Sequence, residues 1–379
     1  MAANRPPEPA LEAWEFFAGG GLAGLGLTGF RVALANDIDP MKAAAFRANH
    51  PLTRLFEGDV WRLDPAELPG RPDLLWASSP CQDVSLAGAR GGLKAERSGA
   101  FWGFWRIVEA LAAEGRAPGA VVLENVSGLL TSGGGADFAA VCGAMAGLGY
   151  RVGALEMDAA HWLPQSRPRL FVVALKEAGA AASAPTPPFH SPRLIAAVDR
   201  LPPAARDAWA WWRLPEPPRR NARLNALLEP DQAVAWLSDQ HTEQLLGLVS
   251  PLHRARLDAA LRGDGRQVAA GYRRVRLEQG CKVQRLELRF DGLAGCLRTP
   301  AGGSSRQYIL VCEDRRVRAR RLTAREAARL MGVPDGYQLP RSETAALKLM
   351  GDAVAVPVVR ALSEGLLLPA LSGRTARAA

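Results

Sequence analysis

Phe16-Phe17-Ala18-Gly19-Gly20-Gly21 follows an apolar start and runs into the small-residue, apolar segment 22–27. A strand, a tight glycine turn and a helix in that order bring backbone N–H groups and a helix N-terminus close to a nucleotide-like ligand. A glycine cluster is by itself more often a plain loop, so the surroundings decide. Outward from the turn, to about Leu175, short apolar runs (Leu74-Leu75-Trp76-Ala77, Val121-Val122-Leu123, and Leu170 to Leu175, LFVVAL) alternate with Ala-rich helical stretches. That rhythm predicts an α/β fold, a parallel sheet wrapped by helices.

Two carboxylates fall at expected strand ends. Asp37, in Asn36-Asp37-Ile38-Asp39, closes the second strand and is placed to accept hydrogen bonds from ribose hydroxyls. Asp59, in Glu57-Gly58-Asp59-Val60, stands at the end of a third, where it could read an adenine amino group. Taken singly, each aspartate is more often a solvated turn residue or a cap.

The 379-residue length argues against one compact domain, and 48% hydrophobic with 22% charged residues is ordinary for a globular chain. The N-terminal MAANRPPEPA has no cationic segment followed by an apolar run. No uninterrupted apolar stretch reaches the roughly 20 residues of a bilayer span, so a cytoplasmic location and no membrane partner are expected. Cys81, Cys142, Cys281, Cys296 and Cys312 show neither a CxxC nor a zinc-like spacing, which predicts reduced thiols and no metal. Lys and Arg number 47 against 38 Asp and Glu, and the resulting charge of +9 suits a polyanionic partner. Composition shifts at residues 178–193 (AGAAASAPTPPFHSPR), where Pro and Ser preclude a helix or central strand and a domain boundary is expected. Beyond it lie Trp209, Trp211 and Trp212, which we expect to form a small local core rather than to contact bases. Thr323 with Glu326 three residues on predicts a capping box opening the helix in TAREAARLM, ended by Gly332.

The sharpest chemical signal is Ser78-Ser79-Pro80-Cys81-Gln82, after an apolar run and before Gly88-Ala89-Arg90-Gly91-Gly92. A cysteine at a strand end beside a glycine-rich loop is a nucleophile in position, whereas Cys142 among small helical residues reads as structural. Glu124, in Val121-Val122-Leu123-Glu124-Asn125-Val126, ends a strand that should be buried, and burial makes a carboxyl a usable proton donor. In His161-Trp162-Leu163-Pro164-Gln165-Ser166-Arg167-Pro168-Arg169 the two arginines alternate, so an extended chain projects both to one side, where they could hold an anionic or carbonyl-bearing substrate.

With these pieces in order, FAGGG, Asp37, Gly58-Asp59, PCQ, Arg97-Ser98-Gly99, ENV, QSRPR, RRLTAREAARLMGVP and Gly351-Asp352-Ala353-Val354, the chain resembles the cytosine-C5 DNA methyltransferases. The resemblance implies a Rossmann-like S-adenosylmethionine-dependent methyltransferase domain with a smaller, variable target-recognition domain. The expected division is 1–180, catalytic; 181–335, target recognition; and 336–379, returning to the catalytic domain. It implies that Cys81 attacks C6 of a flipped-out cytosine, Glu124 contacts N3, Arg169 holds O2, and Arg167 supports Glu124 or a phosphate. The donor site it implies comprises Phe17, Ala18, Gly19, Gly21, Asp37, Ile38, Asp59, Val60 and Pro80, closed by Asp352 and Val354. Leu22 and Asp352 depart from the family's usual Gly and Asn; we expect Asp352 to face the donor's ammonium or a basic side chain. Double-stranded DNA is the implied partner, acted on by a monomer, with a cognate restriction endonuclease as a further partner. The alternatives are the same chemistry on RNA, a catalytically dead DNA-binding protein and a dinucleotide-dependent oxidoreductase, which leaves PCQ and ENV without a role.

Overall fold

Leu11–Phe16 forms β1, with Trp14 and Phe16 directed into the core. The computed structural model describes residues 11–80, 99–177, 179–220, 222–299 and 306–372. β1 is followed by β2 (Phe30–Asp37), β3 (Arg54–Glu57), β4 (Leu74–Ala77), β5 (Ala120–Asn125), β6 (Arg151–Asp158) and β7 (Pro168–Leu175). They make one seven-stranded sheet in the order β3-β2-β1-β4-β5-β7-β6. The pairs β2–β3, β1–β2, β1–β4 and β4–β5 are parallel, as expected. β7 runs antiparallel to β5, with Glu124 opposite Phe171, so the start of β7 lies at the same edge as the end of β5.

The strand order reverses between β1 and β4. In open α/β sheets the crevice beyond the carboxyl ends at such a switch point is where ligands bind. Helix α1 (Leu22–Gly26) follows β1, α2 (Pro40–Asn49) follows β2, and Asp39 caps α2 by accepting from the N–H groups of Met41 and Lys42. The helix Ala100–Ala113 buries Phe101, Phe104, Val108 and Leu111, a spacing that puts one stripe on the sheet. Phe104 meets Phe16 with ring centroids 5.1 Å apart.

The chain divides into two compact units, the first Met1–Met157, Pro168–Glu216 and Val358–Ala379, the second Asp158–Arg167 and Pro217–Pro357. The division therefore falls at 216 and 357, and not at 180 and 335 as the sequence suggested. Residues 181–216 stay with the first unit because their apolar groups complete its core. Trp212 donates its indole N–H to the Val173 carbonyl (2.9 Å), Ala210 donates to Val152 (2.7 Å), and Trp209 packs on Phe138. The three tryptophans are thus core, as expected, but in the first unit. Near the C-terminus, the Ser363 hydroxyl donates to the Thr28 carbonyl across 335 residues of sequence (2.9 Å). Glu343–Ser372 is apolar and long enough to cross a membrane by composition, yet 56% of its most apolar window is buried within the fold.

In the second unit, β10 (Gln267–Glu278), β11 (Cys281–Arg289), β12 (Tyr308–Glu313) and β13 (Arg316–Arg321) form an antiparallel sheet in the order β11-β10-β12-β13; β8 and β9 are the two-residue strands Ala181–Ala182 and Trp211–Trp212. Leu245, Val249 and Leu257, from two helices and their connection, cover one face around Ala269, Leu286, Leu288 and Leu310. The helix Ala324–Leu330 opens with the expected capping box of Thr323 and Glu326. Glu326, fully buried, also takes two hydrogen bonds from the buried Arg320 (2.6 and 2.8 Å), the pairing that two buried charges require.

Candidate active site

The turn after β1 is built by main-chain geometry. Phe17 has φ 56°, Gly19 φ 57° and Gly21 φ 77°. A left-handed phenylalanine is strained backbone, the kind of outlier that concentrates at functional sites. Ala18 N–H donates to Asn36 O (2.9 Å), Gly21 N–H to Ala18 O (2.8 Å), and Gly19 N–H to Asp37 Oδ2 (2.8 Å). A Cβ on Gly21 would lie 2.3 Å from His50 Nε2, so no side chain fits there.

Asp37 ends β2 and also accepts the Asp39 N–H on Oδ1 (2.8 Å). A carboxylate offers about four lone-pair sites, so acceptor capacity remains for a hydroxyl. Ile38, next to it, is 64% exposed, unusual for a large apolar residue. Asn36 is buried and ties β2 to the end of β3 by donating to Phe56 O (3.0 Å) and Gly58 O (2.9 Å). Asp59 accepts from Trp61 N–H (3.0 Å), the capping role that its isolated reading allowed, and Val60 is buried in the core.

Beyond β4, Ser79 is buried and Pro80 exposed. Asn125 donates its side-chain amide to the Ser79 carbonyl (3.2 Å) and hydroxyl (3.3 Å), fixing the chain just ahead of Pro80. Cys81, Gln82 and the Arg97-Ser98 pair lie outside the described residues, as does the glycine-rich loop between them. Glu124 is buried, and Arg169 Nε stands 3.1 Å from its Oε1. Because β7 is antiparallel to β5, Arg169 at its start reaches the carboxylate at the end of β5, and this guanidinium is the partner a buried carboxylate requires.

Arg167 does something else. It is buried in the second unit and donates to the carbonyls of Leu297 (2.9 Å), Gly351 (2.9 Å) and Ala353 (2.5 Å), with Cys296 Sγ at 3.4 Å. The expectation that alternate spacing sends Arg167 and Arg169 to one substrate gives way to two assignments, one guanidinium on a carboxylate and one on main-chain carbonyls. Gly351 passes against residues 298–299, where an added Cβ would lie 2.6 Å from the Arg298 carbonyl carbon. Asp352 is exposed and accepts the Thr299 hydroxyl (2.5 Å), while Val354 is buried.

Two residues at the β1 turn escaped the sequence reading. Glu15 is buried in β1, accepts the Gly24 N–H (3.1 Å), and is pushed up to about 8 by burial. His50, tilted against the Phe46 ring at 4.6 Å and held below the ordinary histidine value by burial, backs the glycine turn. An acid between Trp14 and Phe16, the two aromatic residues of the strand LEAWEF, was the available signal for the first; His50 carried none. Cys142 is fully buried and its thiol is pushed up by burial, in keeping with a structural role.

A switch-point sheet with a strained glycine turn and acids at its carboxyl edge defines a nucleotide-type ligand enzyme of the doubly wound α/β class. Within that class the match is to one family: residues 11–367 fit the C-5 cytosine-specific DNA methylases, and the chain belongs to that family. It is 27% identical to the Type II methyltransferase M.NgoPII of Neisseria gonorrhoeae, over 90% of both chains. It is 31% identical to the Type II methyltransferase M.PspPI of Psychrobacter over a shorter stretch, 45% of this chain and 41% of that one. In fold it is similar to Schizosaccharomyces pombe Dnmt2 methyltransferase, with a TM-score of 0.60 at 17% identity, covering 96% and 99% of the two chains. The enzyme is accordingly a DNA cytosine-C5 methyltransferase.

Proposed function

We propose that the chain uses S-adenosylmethionine to methylate cytosine C5 in a specific duplex sequence, through a covalent adduct on Cys81, as the modification partner of a restriction endonuclease. The observation that carries the reading is the Glu124–Arg169 pair at the carboxyl edge of β5, next to the β4 end that Asn125 ties down. The turn at Phe17, Ala18, Gly19 and Gly21 fits the methionine end of the donor; Asp37 has acceptor capacity for the ribose, the exposed Ile38 supplies an adenine face, and Asp59, Val60 and Pro80 border it. Asp352 and Val354 belong to the same reading, with Arg167 positioning their segment through the carbonyls of Gly351 and Ala353. When bound, the donor would supply an electrophilic methyl group on a sulfonium, and loss of that methyl would break the sulfur–methyl bond and leave a neutral thioether.

Cytosine C5 is too electron-poor to take that methyl directly. The Cys81 thiolate forms a bond to C6 as the C5–C6 electron pair moves to C5, and a proton drawn from solvent and held between the Glu124 carboxylate and N3 offsets the charge. After C5 gains the methyl group it loses its proton to a base, the Sγ–C6 bond breaks, and the thiolate is restored. Arg169 holds Glu124 in place and reaches for the cytosine O2. Extrusion of the base costs a few kcal/mol of stacking, which pocket and phosphate contacts offset.

A duplex carrying 5-fluorocytosine at the target, incubated with donor, is expected to give a denaturant-resistant adduct with the enzyme and none with Cys81→Ala, because fluorine does not leave as a proton does. Absence of that adduct from the unaltered enzyme on a duplex it methylates rules out the covalent route. Methyl incorporation into transfer RNA in a parallel assay, exceeding that into duplex DNA, would transfer the reading to RNA.

A further inference from the structure

β12 pairs with β10 only over Gln267–Gly271, whereas β11 stays paired with β10 as far as Glu278 and Cys281. Residues 273–278 and 281–285 therefore continue as a two-stranded ribbon past the end of the four-stranded sheet, about 20 Å at the usual rise per residue. A two-stranded ribbon has little stability of its own, and this one is held by pairs on one of its faces. On that face Arg276 and Arg274 meet Glu287, and Arg285 meets Glu278. Arg274 also lies over the Tyr272 ring at 4.8 Å.

The opposite face carries Arg273, Val275 and Leu277 on β10, opposite Leu286, Gln284 and Lys282 on β11. It continues the core face that Leu257 and its neighbours cover further in, but out here the cover has ended. Val275 is 62% and Leu277 73% exposed, two of the six exposed large apolar side chains among the described residues. Glu278 of the ribbon and Glu287 beside it lie on the other face, so this one combines apolar groups, an amide and cations. Arg273, which reaches Gln284 (3.5 Å) and the Tyr308 ring, marks the inner limit of the exposed part.

We propose that this ribbon enters the major groove of the substrate duplex with the Val275–Leu277 face against the base edges. The inference rests on the reading of the chain as an enzyme acting on duplex DNA. The major groove is wide enough for a two-stranded β-ribbon and presents the thymine methyl to apolar side chains and adenine N6 and N7 to an amide. Val275 and Leu277 meet thymine methyl groups, Gln284 reads a neighbouring base edge, and Lys282 contacts a flanking phosphate. The positive, acid-free face matches a polyanion and would repel a cationic one.

The test pairs a Val275→Ser/Leu277→Ser variant and a Gln284→Ala variant with the unaltered enzyme. All three positions lie on the ribbon surface, and unchanged thermal unfolding checks the fold. Methylated positions are mapped in DNA from expressing cells, and rates are measured on duplexes with the mapped site and with each single base-pair change. The proposal expects methylation of the variants' DNA to continue while the preference over at least one single-change duplex falls roughly tenfold, the scale of one base contact. Lys282→Gln should lower the salt slope by about one without changing the map. An unchanged map and preference in both variants overturns the proposal, leaving the enzymatic reading intact. So does an unaltered enzyme that sediments as a dimer and becomes a monomer in the serine variant with the same map, which makes the ribbon a self-association face. If the unaltered enzyme methylates no duplex, the enzymatic reading fails first and the proposal with it.

Discussion

The carboxyl edge of the first unit and the ribbon of the second hold their charged groups in opposite ways. At the edge, Glu15, Asp37 and Glu124 are buried, and each is fixed by a main-chain N–H or a single guanidinium. On the ribbon, the exposed Arg274 and Arg276 and the half-buried Arg285 share two glutamates among three cations. Buried groups held by one or two such partners are costly to disturb, whereas exposed pairs contribute about 0–1 kcal/mol and are screened by salt. Groups held to one geometry therefore lie in the first kind of environment, and groups free to exchange partners lie in the second.

The strongest challenge to that contrast is Glu124→Gln, expected to lower the methylation rate by roughly 10²–10⁴-fold, the usual contribution of a positioned proton donor. Single-turnover rates would check it, and a loss below tenfold would place Glu124 outside the chemistry. Gly21→Ala comes next. The new methyl must enter a left-handed site 2.3 Å from His50 Nε2, so calorimetry should find donor affinity down by at least tenfold, with a lower Tm. Full donor affinity in that variant would show the turn to be remote from the donor.

The edge should also reveal itself through pH. Glu15 is held up to about 8 when folded, against 4.5 as its ordinary value. The folded state then keeps a proton that the unfolded chain has lost, so stability is fullest below 4.5 and falls as pH rises toward 8. The slope is at most about 1.4 kcal/mol per pH unit. Urea melts of the enzyme and of Glu15→Gln across that window should differ in slope, and parallel curves would remove Glu15 as the cause.

Asp352→Asn is a smaller perturbation, since an amide oxygen can still accept the Thr299 hydroxyl and only the charge is lost. Donor binding is expected to weaken by a few-fold; a tenfold tightening, about 1.4 kcal/mol, would show that the aspartate repels the donor. Smallest of all, Arg276→Ala should leave the salt dependence of DNA binding nearly unchanged, because Glu287 already neutralises that guanidinium on its own sheet. A slope reduced by one or more would put that face on phosphates.

The contrast also explains what the sequence made readable. Strand ends followed by short polar motifs announce themselves, so β1, β2, β4 and β5 with Phe17, Asp37, Pro80 and Glu124 could be placed from periodicity and turn chemistry alone. The capping box at Thr323 and Glu326 was equally local. Arg167 was not, because its partners at Leu297, Gly351 and Ala353 lie 130 to 186 residues away and no local pattern encodes such a contact. The unit boundary lies beyond the Pro-rich segment for a related reason: that segment follows β7, yet Trp209 and Trp212 after it return to the same core. The ribbon could not be read from sequence, since the partition of its cations and apolar groups onto two faces depends on register with β11.

The hydrogen bond from Ser363 to Thr28 sets a clock. At the usual 5–20 residues per second, a ribosome needs on the order of 20–70 s to make the 335 residues between the two. Throughout that interval the sheet that carries the glycine turn lacks the segment that closes it, and the second unit, likewise stitched from separate stretches, lacks its last strands and helices. A chain that stops short of Ser363 leaves the Thr28 carbonyl without this donor and the first unit without its last segment.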